Sequence, residues 1–222
     1  YAWLHENQSG KNEMWYIVDC GADAELIIGL KQELTKEALK ASLSEGTILD
    51  YANRIQINPG DCYCIPAGTL HGIGKNTMIL EVQQSSNITY RVYDYDRIDT
   101  DGQKRPLHIH QAADVINTSP FHNLCDDLLS SAKDGLSIRQ LSNWKYFFSY
   151  ELQLSRDAEL FCGKDSFHSL TLLNGCISLK HAAQKADLAP GETLFIPAGL
   201  GRYRLTGEGT AILVSCRQLT AD

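Results

Sequence analysis

The sequence contains no apolar run approaching the roughly 18 residues needed to cross a bilayer, and no basic and apolar leader opens it. Both absences point to a soluble protein with no membrane partner. It also lacks the basic excess of a nucleic-acid surface: 20 Lys and Arg stand against 27 Asp and Glu, a formal charge of −7 at pH 7. An anionic small molecule stays admissible wherever a few bases converge. Cysteine occurs seven times, at 20, 62, 64, 125, 162, 176 and 216, but an odd and scattered set makes no compact disulfide framework. Small buried thiols in a reducing cytoplasm are expected instead. The chain opens on Tyr1 rather than on a methionine, and strand-like sequence begins at Met14, so an upstream segment is expected to be missing.

What is present suits a folded core. Over 222 residues, 43% are apolar and 21% charged, enough for one large or two small domains. MWYIVDC (14–20) and ELIIG (25–29), separated by the turn-like CGAD, predict a hairpin. TKEALKASLSEGT (35–47) predicts a helix, with Thr35 as N-cap, Leu39 and Leu43 four apart, and Gly46 at the end. RIQIN, the turn Asn58–Asp61, CYCI and the Pro66–Gly68 corner then read as strand, turn, strand, turn. MILEVQQSS and NITYRVYDY extend the β pattern to residue 97, and the polar IDTDGQKRP marks a boundary. HQAADVI predicts a short helix, 117–140 an irregular connector, and strands resume at Trp144. Such punctuation, about every 8–12 residues, belongs to a β-sandwich or barrel.

One segment is repeated. PGDCYCIPAG at 59–68 matches PGETLFIPAG at 190–199, an offset of 190 − 59 = 131 residues. Each copy makes a Pro-Gly-acid turn, a four-residue strand and a Pro-Ala-Gly corner, which predicts two barrels built by duplication. After the first corner stands His71; at the matching place, 71 + 131 = 202, stands Arg202. A lone histidine is more often structural than a ligand. Glu13, however, opens an otherwise apolar strand, where a carboxylate is costly unless a metal or a partner meets it. The alternative is an edge carboxylate in water. In TYRVYDYDR (89–97), Arg91, Tyr93, Tyr95 and Arg97 share one face of an extended strand, suited to phosphate or carboxylate, with Asp94 and Asp96 opposite. A charged surface strand reads equally well. His108-Ile109-His110 and Cys62-Tyr63-Cys64 have ligand-like spacing, but a polar boundary and burial in the barrel account for them better. Arg202 and Arg204 read as surface or inter-domain charges rather than ligands.

GKNEMWYI, NPGDCYCIPAGTLHGIG, SSNITYRVYDYDR and APGETLFIPAG, in this order, resemble the short bacterial form of type I mannose-6-phosphate isomerase (phosphomannose isomerase), from about residue 10 onward. The resemblance implies a double cupin and a zinc held by a Gln and a His of a Gln-x-His-Pro motif, by the Glu of GKxE and by the His of PAGTxH. The last two match Glu13 and His71. The first two belong to a segment that in the family lies upstream of Tyr1; His5 is the nearby imidazole able in principle to substitute. The family's active-site lysine matches Lys11, its arginine Arg91, and a further basic substrate contact Arg97. An acidic residue proposed in some relatives as a proton shuttle is Asn87 here, so that role does not carry over.

The expectation is therefore an all-β protein of two cupin (jelly-roll-like) barrels with a short helical insertion in the first. Its parts are 1–100, the catalytic barrel; 101–142, a connector with short helices; and 143–222, a structural barrel. The expected activity is zinc-dependent interconversion of mannose 6-phosphate and fructose 6-phosphate through an enediol, by a cytoplasmic monomer or homodimer. Competing readings are a catalytically inactive bicupin that binds sugar phosphate, another cupin isomerase, or an iron or manganese oxygenase. A structural storage bicupin gives no reason for Lys11, Glu13, His71 and Arg91 to occur together.

Overall fold

The structure, a computed structural model, describes residues 1–95, 97–126, 128–133 and 135–219. Contacts within the chain divide it into two units, 1–61 with 65–123 and 62–64 with 124 onward. The fold is all-β with a few short helices. In chain order the elements up to residue 123 are α1 (Ala2–Glu6), β1 (Glu13–Cys20), β2 (Glu25–Leu30), α2 (Lys36–Glu45), α3 (Ile48–Tyr51), β3 (Ala52–Gln56), β4 (Cys62–Ile65), β5 (His71–Ile73), β6 (Thr77–Gln83) and α4 (Ile109–Val115).

In the first unit the expected helix forms as α2. The Thr35 side chain accepts from the Ala38 N–H at 3.1 Å, and Gly46 ends the helix in the left-handed region at φ 75°. Leu39 and Leu43 are buried at 0% and 3% exposure, against Ala112 and Ala113 of α4 and Ile27 and Leu30 of β2. Each leucine contributes roughly 1.5–3 kcal/mol by leaving water. The expected hairpin does not form. β1 pairs antiparallel with β6, whereas β2 pairs with β3 and β5, so the CGAD turn passes between two sheets. The strand expected up to residue 97 also stops short. β6 ends at Gln83, and Tyr95 lies at φ 52°, outside any extended conformation. Period-two alternation is an unsafe guide where arginine and tyrosine alternate without an apolar face to bury. Asp96 lies outside the described residues.

β2 carries a bulge where its register with β3 shifts between Ile27 and Leu30. Gly29 sits there at φ +65°, donates its N–H to the Leu70 carbonyl at 2.6 Å, and leaves no room for a Cβ, which would meet the Phe121 Cβ at 2.4 Å. The next residue, His71, pairs with Ile28, so the bulge sets where His71 stands. Gly29→Ala meets both backbone strain and overlap, each of order 1–3 kcal/mol. A melting temperature lower by roughly 10 °C is expected, checked by calorimetry.

The second unit contains β7 (Ser130–Lys133), β8 (Leu136–Asn143), β9 (Phe148–Leu154), β10 (Ala158–Cys162), β11 (His168–His181), β12 (Gln184–Leu188), β13 (Thr193–Ile196) and β14 (Gly201–Ser215). Six of them follow the order β12-β11-β14-β9-β8-β7, with β10 on β14 and β13 on β11. The core is aliphatic, with Leu170, Leu172, Leu205 and Leu213 all at 0% exposure. His168 is buried among them, bonded through Nδ1 to the Tyr203 hydroxyl at 2.9 Å, and burial holds its pKa below the ordinary imidazole value.

The repeated segment builds the same piece twice. β4 spans 62–65 and β13 spans 193–196, again 131 apart. Gly60 and Gly191 adopt φ 92° and 86°, and Gly68 and Gly199 adopt 90° and 82°. Arg202 and Arg204 point outward around buried Tyr203, and Arg204 pairs with Glu159 at 2.9 Å.

Candidate active site

Glu13 is the first residue of β1 and is 1% exposed. It stands opposite Gln83, and Trp15, two residues on and on the same face, stands opposite Glu81. A lone carboxylate so deep is intolerable, and three groups answer it. Lys11 Nζ forms an ion pair with Oε1 at 2.5 Å. Trp15 Nε1 donates to Oε2 at 3.1 Å, and His71 Nε2 lies 3.9 Å from Oε2. Lys11 is itself held by Gln83 Oε1 at 2.9 Å. Glu81 is pushed above the usual carboxylate range by burial and then by the Glu13 charge, while Lys11 opposes.

His71 is oriented by its other nitrogen. Nδ1 lies 2.8 Å from the Thr69 carbonyl, which only accepts, so Nδ1 carries a proton, and in the neutral ring Nε2 turns a lone pair toward Glu13. The corner leading to it is pinned from a distance. Asn12 Oδ1 accepts from the Ala67 N–H at 2.9 Å, while Asn12 Nδ2 donates to Gln84 Oε1 at 2.8 Å. Two acceptors 3.9 Å apart and facing each other suit a cation, and zinc bonds of about 2.0–2.2 Å span that gap. The residues present thus fit two zinc ligands. Among the described residues no third His, Cys, Asp or Glu joins them. His5 does not; its ring stacks on Tyr1 at 4.1 Å.

A cavity of about 600 Å³ opens here, and Lys11, Glu13, His71, Arg91, Tyr93 and Tyr95 all line it. Arg91 is held at both ends. Its N–H donates to His108 Nδ1 at 3.0 Å, the His108 N–H donates to its carbonyl at 2.7 Å, and its Nη1 reaches the Pro106 carbonyl at 3.3 Å. Asp94 stands 3.6 Å from Arg91 Nε but is claimed by the Arg105 guanidinium, which holds its carboxyl below the usual range. Arg91 therefore keeps much of its charge for the cavity. Arg97 does not share its position. Its guanidinium lies 5.3 Å from the Tyr95 ring centre, and it is not part of the cavity lining.

Four of the five sequence candidates, Lys11, Glu13, His71 and Arg91, therefore meet in one cavity, and Arg97 stands apart. His108 is no metal ligand but the clamp on Arg91. The roles of Asn12, Gln83, Glu81 and His108 escaped sequence reasoning, because their partners lie 17 to 72 positions away.

Comparison with known proteins bears on this cavity. The family model "Mannose-6-phosphate isomerase, cupin domain" matches residues 137–216. The mannose-6-phosphate isomerase ManA of Bacillus subtilis (strain 168) is 34% identical over 221 residues, covering 96% of this chain and 67% of that protein. The mannose-6-phosphate isomerase of Streptococcus mutans is 34% identical over 208 residues, covering 94% and 65%. The chain spans about two thirds of the length, 65% to 67%, of the curated relatives it matches. The crystal structure of mannose 6-phosphate isomerase from Bacillus subtilis superposes with a TM-score of 0.89 at 33% identity, over 96% of this chain and 68% of that one. A phosphomannose isomerase variant from Salmonella typhimurium, 15% identical with a TM-score of 0.68 over 94% of this chain and 66% of that one, shares the fold.

Proposed function

Because the chain belongs to the mannose-6-phosphate isomerase family, we propose that it interconverts mannose 6-phosphate and fructose 6-phosphate at the cavity of its first unit, in the cytoplasm and with zinc as cofactor. The observation that carries this reading is the convergence of Lys11, Glu13, His71 and Arg91 on one cavity of sugar-phosphate size. Glu13 and His71 would hold the zinc, which when bound polarises sugar oxygens as a Lewis acid.

The chain's own residues then have separable tasks. Isomerisation moves a proton between adjacent sugar carbons through an enediol and builds negative charge on oxygen. The Arg91 guanidinium, clamped by His108 and the Pro106 carbonyl, is assigned to that charge. Lys11 binds substrate oxygens from within the Glu13 pair. Arg97, outside the lining, is assigned to the phosphate from the rim. Tyr93 and Tyr95 form an edge-to-face pair at 4.9 Å and give the sugar an apolar wall. The second unit is assigned a structural role, its buried His168 being satisfied by Tyr203.

A second reading, sugar-phosphate binding without turnover, is favoured by the count of two zinc donors among the described residues. One experiment separates the two. The protein is stripped with chelator, reloaded with zinc, and assayed for metal content and for fructose 6-phosphate formed from mannose 6-phosphate. The first reading expects about one zinc per chain and turnover that chelation abolishes. Thermal stabilisation by mannose 6-phosphate with neither zinc nor turnover selects the second.

A further inference from the structure

Outside the active site, three thiols of the second unit converge. Cys62 and Cys64 stand two residues apart on β4 and are 8% and 2% exposed. Cys125, half-buried on the segment before β7, meets both: its Sγ lies 2.8 Å from Cys64 Sγ and 3.4 Å from Cys62 Sγ. All three sulfurs also turn to the Leu141 carbonyl, at 3.6 Å from Cys62, 3.3 Å from Cys64 and 3.0 Å from Cys125. Residues 61 and 63 positions apart are thereby brought sulfur to sulfur. The i, i+2 spacing on one strand face aims two thiols at a single third one.

We propose that Cys125 and Cys64 are a redox-modifiable pair that closes to a reversible disulfide under a hydroperoxide, with Cys62 as the alternative partner of Cys125. The separation is within about 1 Å of the S–S bond length near 2.05 Å, so little side-chain movement is needed. Cys125 is the entry point because it is the least buried of the three. Its thiolate attacks the peroxide: an S–O bond forms, the O–O bond breaks, and the departing hydroxide takes a proton to become water. Cys125 is thereby oxidised by two electrons to a sulfenic acid and the peroxide is reduced. The Cys64 thiolate then attacks that sulfur; the S–S bond forms, the S–O bond breaks, and a second water leaves. Neighbouring thiols and burial push the Cys64 and Cys125 pKa values well above the ordinary thiol range, so the attacking thiolate is scarce at neutral pH and closure, slow there, quickens as pH rises. The inference is independent of the isomerase reading.

The test is chemical. The full 222-residue protein is treated with excess hydrogen peroxide at about pH 8, quenched, unfolded and alkylated without reductant, then digested and sequenced by tandem mass spectrometry. A Cys64–Cys125 cross-linked peptide is expected, together with loss of both alkylated forms and their return after dithiothreitol. In Cys64→Ser the cross-link moves to Cys62 and Cys125; in Cys125→Ser both Cys62 and Cys64 remain alkylatable. Full alkylation of Cys64 and Cys125 in the unsubstituted protein, under peroxide that oxidises exposed Cys176 and Cys216, overturns the proposal. Irreversible sulfinic acid at Cys125 with Cys64 still alkylatable overturns it too, and neither result depends on a variant folding.

Discussion

Replacing Glu13 by Gln is expected to lower isomerase turnover by at least about 100-fold and to abolish zinc retention, while the fold survives. Glu13 is 1% exposed, and its two oxygens face Lys11, Trp15 and His71. Gln keeps the volume and, through its carbonyl oxygen, the hydrogen bond from Trp15 Nε1. Lys11 loses its ionic partner but keeps Gln83 Oε1 at 2.9 Å and is partly solvated, which limits the structural cost. What vanishes is the negative donor facing His71 Nε2. Zinc content, turnover and a melting curve measured together check the point. Retained zinc and turnover in a folded Glu13→Gln protein would refute the role assigned to this carboxylate.

Glu13 also shows how far sequence reasoning reaches. A glutamate opening an apolar strand and a histidine after a Pro-Ala-Gly corner are local signals, and the structure brings both to one cavity. The helix at Lys36–Glu45 was legible for the same reason, since Thr35, Leu39, Leu43 and Gly46 are all read within a few turns. The 131-residue repeat announced two equivalent strand-and-corner pieces, which the φ values of its glycines match. Pairing across the sheets was not legible. Nothing near Met14 or Leu26 says that β1 goes to β6 and β2 to β3 and β5, because register is chosen by long-range packing. The same holds for Asn12, which ties Ala67 to Gln84, and for Cys125, whose two partners lie more than 60 positions away. The clearest misreading was the run Arg91 to Arg97. Alternating Arg and Tyr imitate a strand face, but the backbone turns at Tyr95 and only the first arginine enters the cavity.

That separation yields the second large effect. Arg91→Ala is expected to cut turnover by about 100- to 1,000-fold, the range seen when a single preorganised donor to a developing oxyanion is lost. Arg97→Ala is expected to cost less than about tenfold, mostly in KM, because a rim charge outside the lining contributes through screened attraction. Arg91→Lys should not rescue the first. A lysine keeps the charge but not the planar fork that reaches the Pro106 carbonyl and the cavity at once. The three variants leave the core untouched, so their melting curves should overlay that of the parent. The split between kcat and KM then carries the information: a loss at Arg91 confined to kcat places its guanidinium on charge that exists only in the transition state, whereas a loss confined to KM would reassign it to the phosphate. Equal effects at Arg91 and Arg97 would contradict the geometry, since it would require a guanidinium seated over Tyr95 to act on the same oxygen as one clamped by His108.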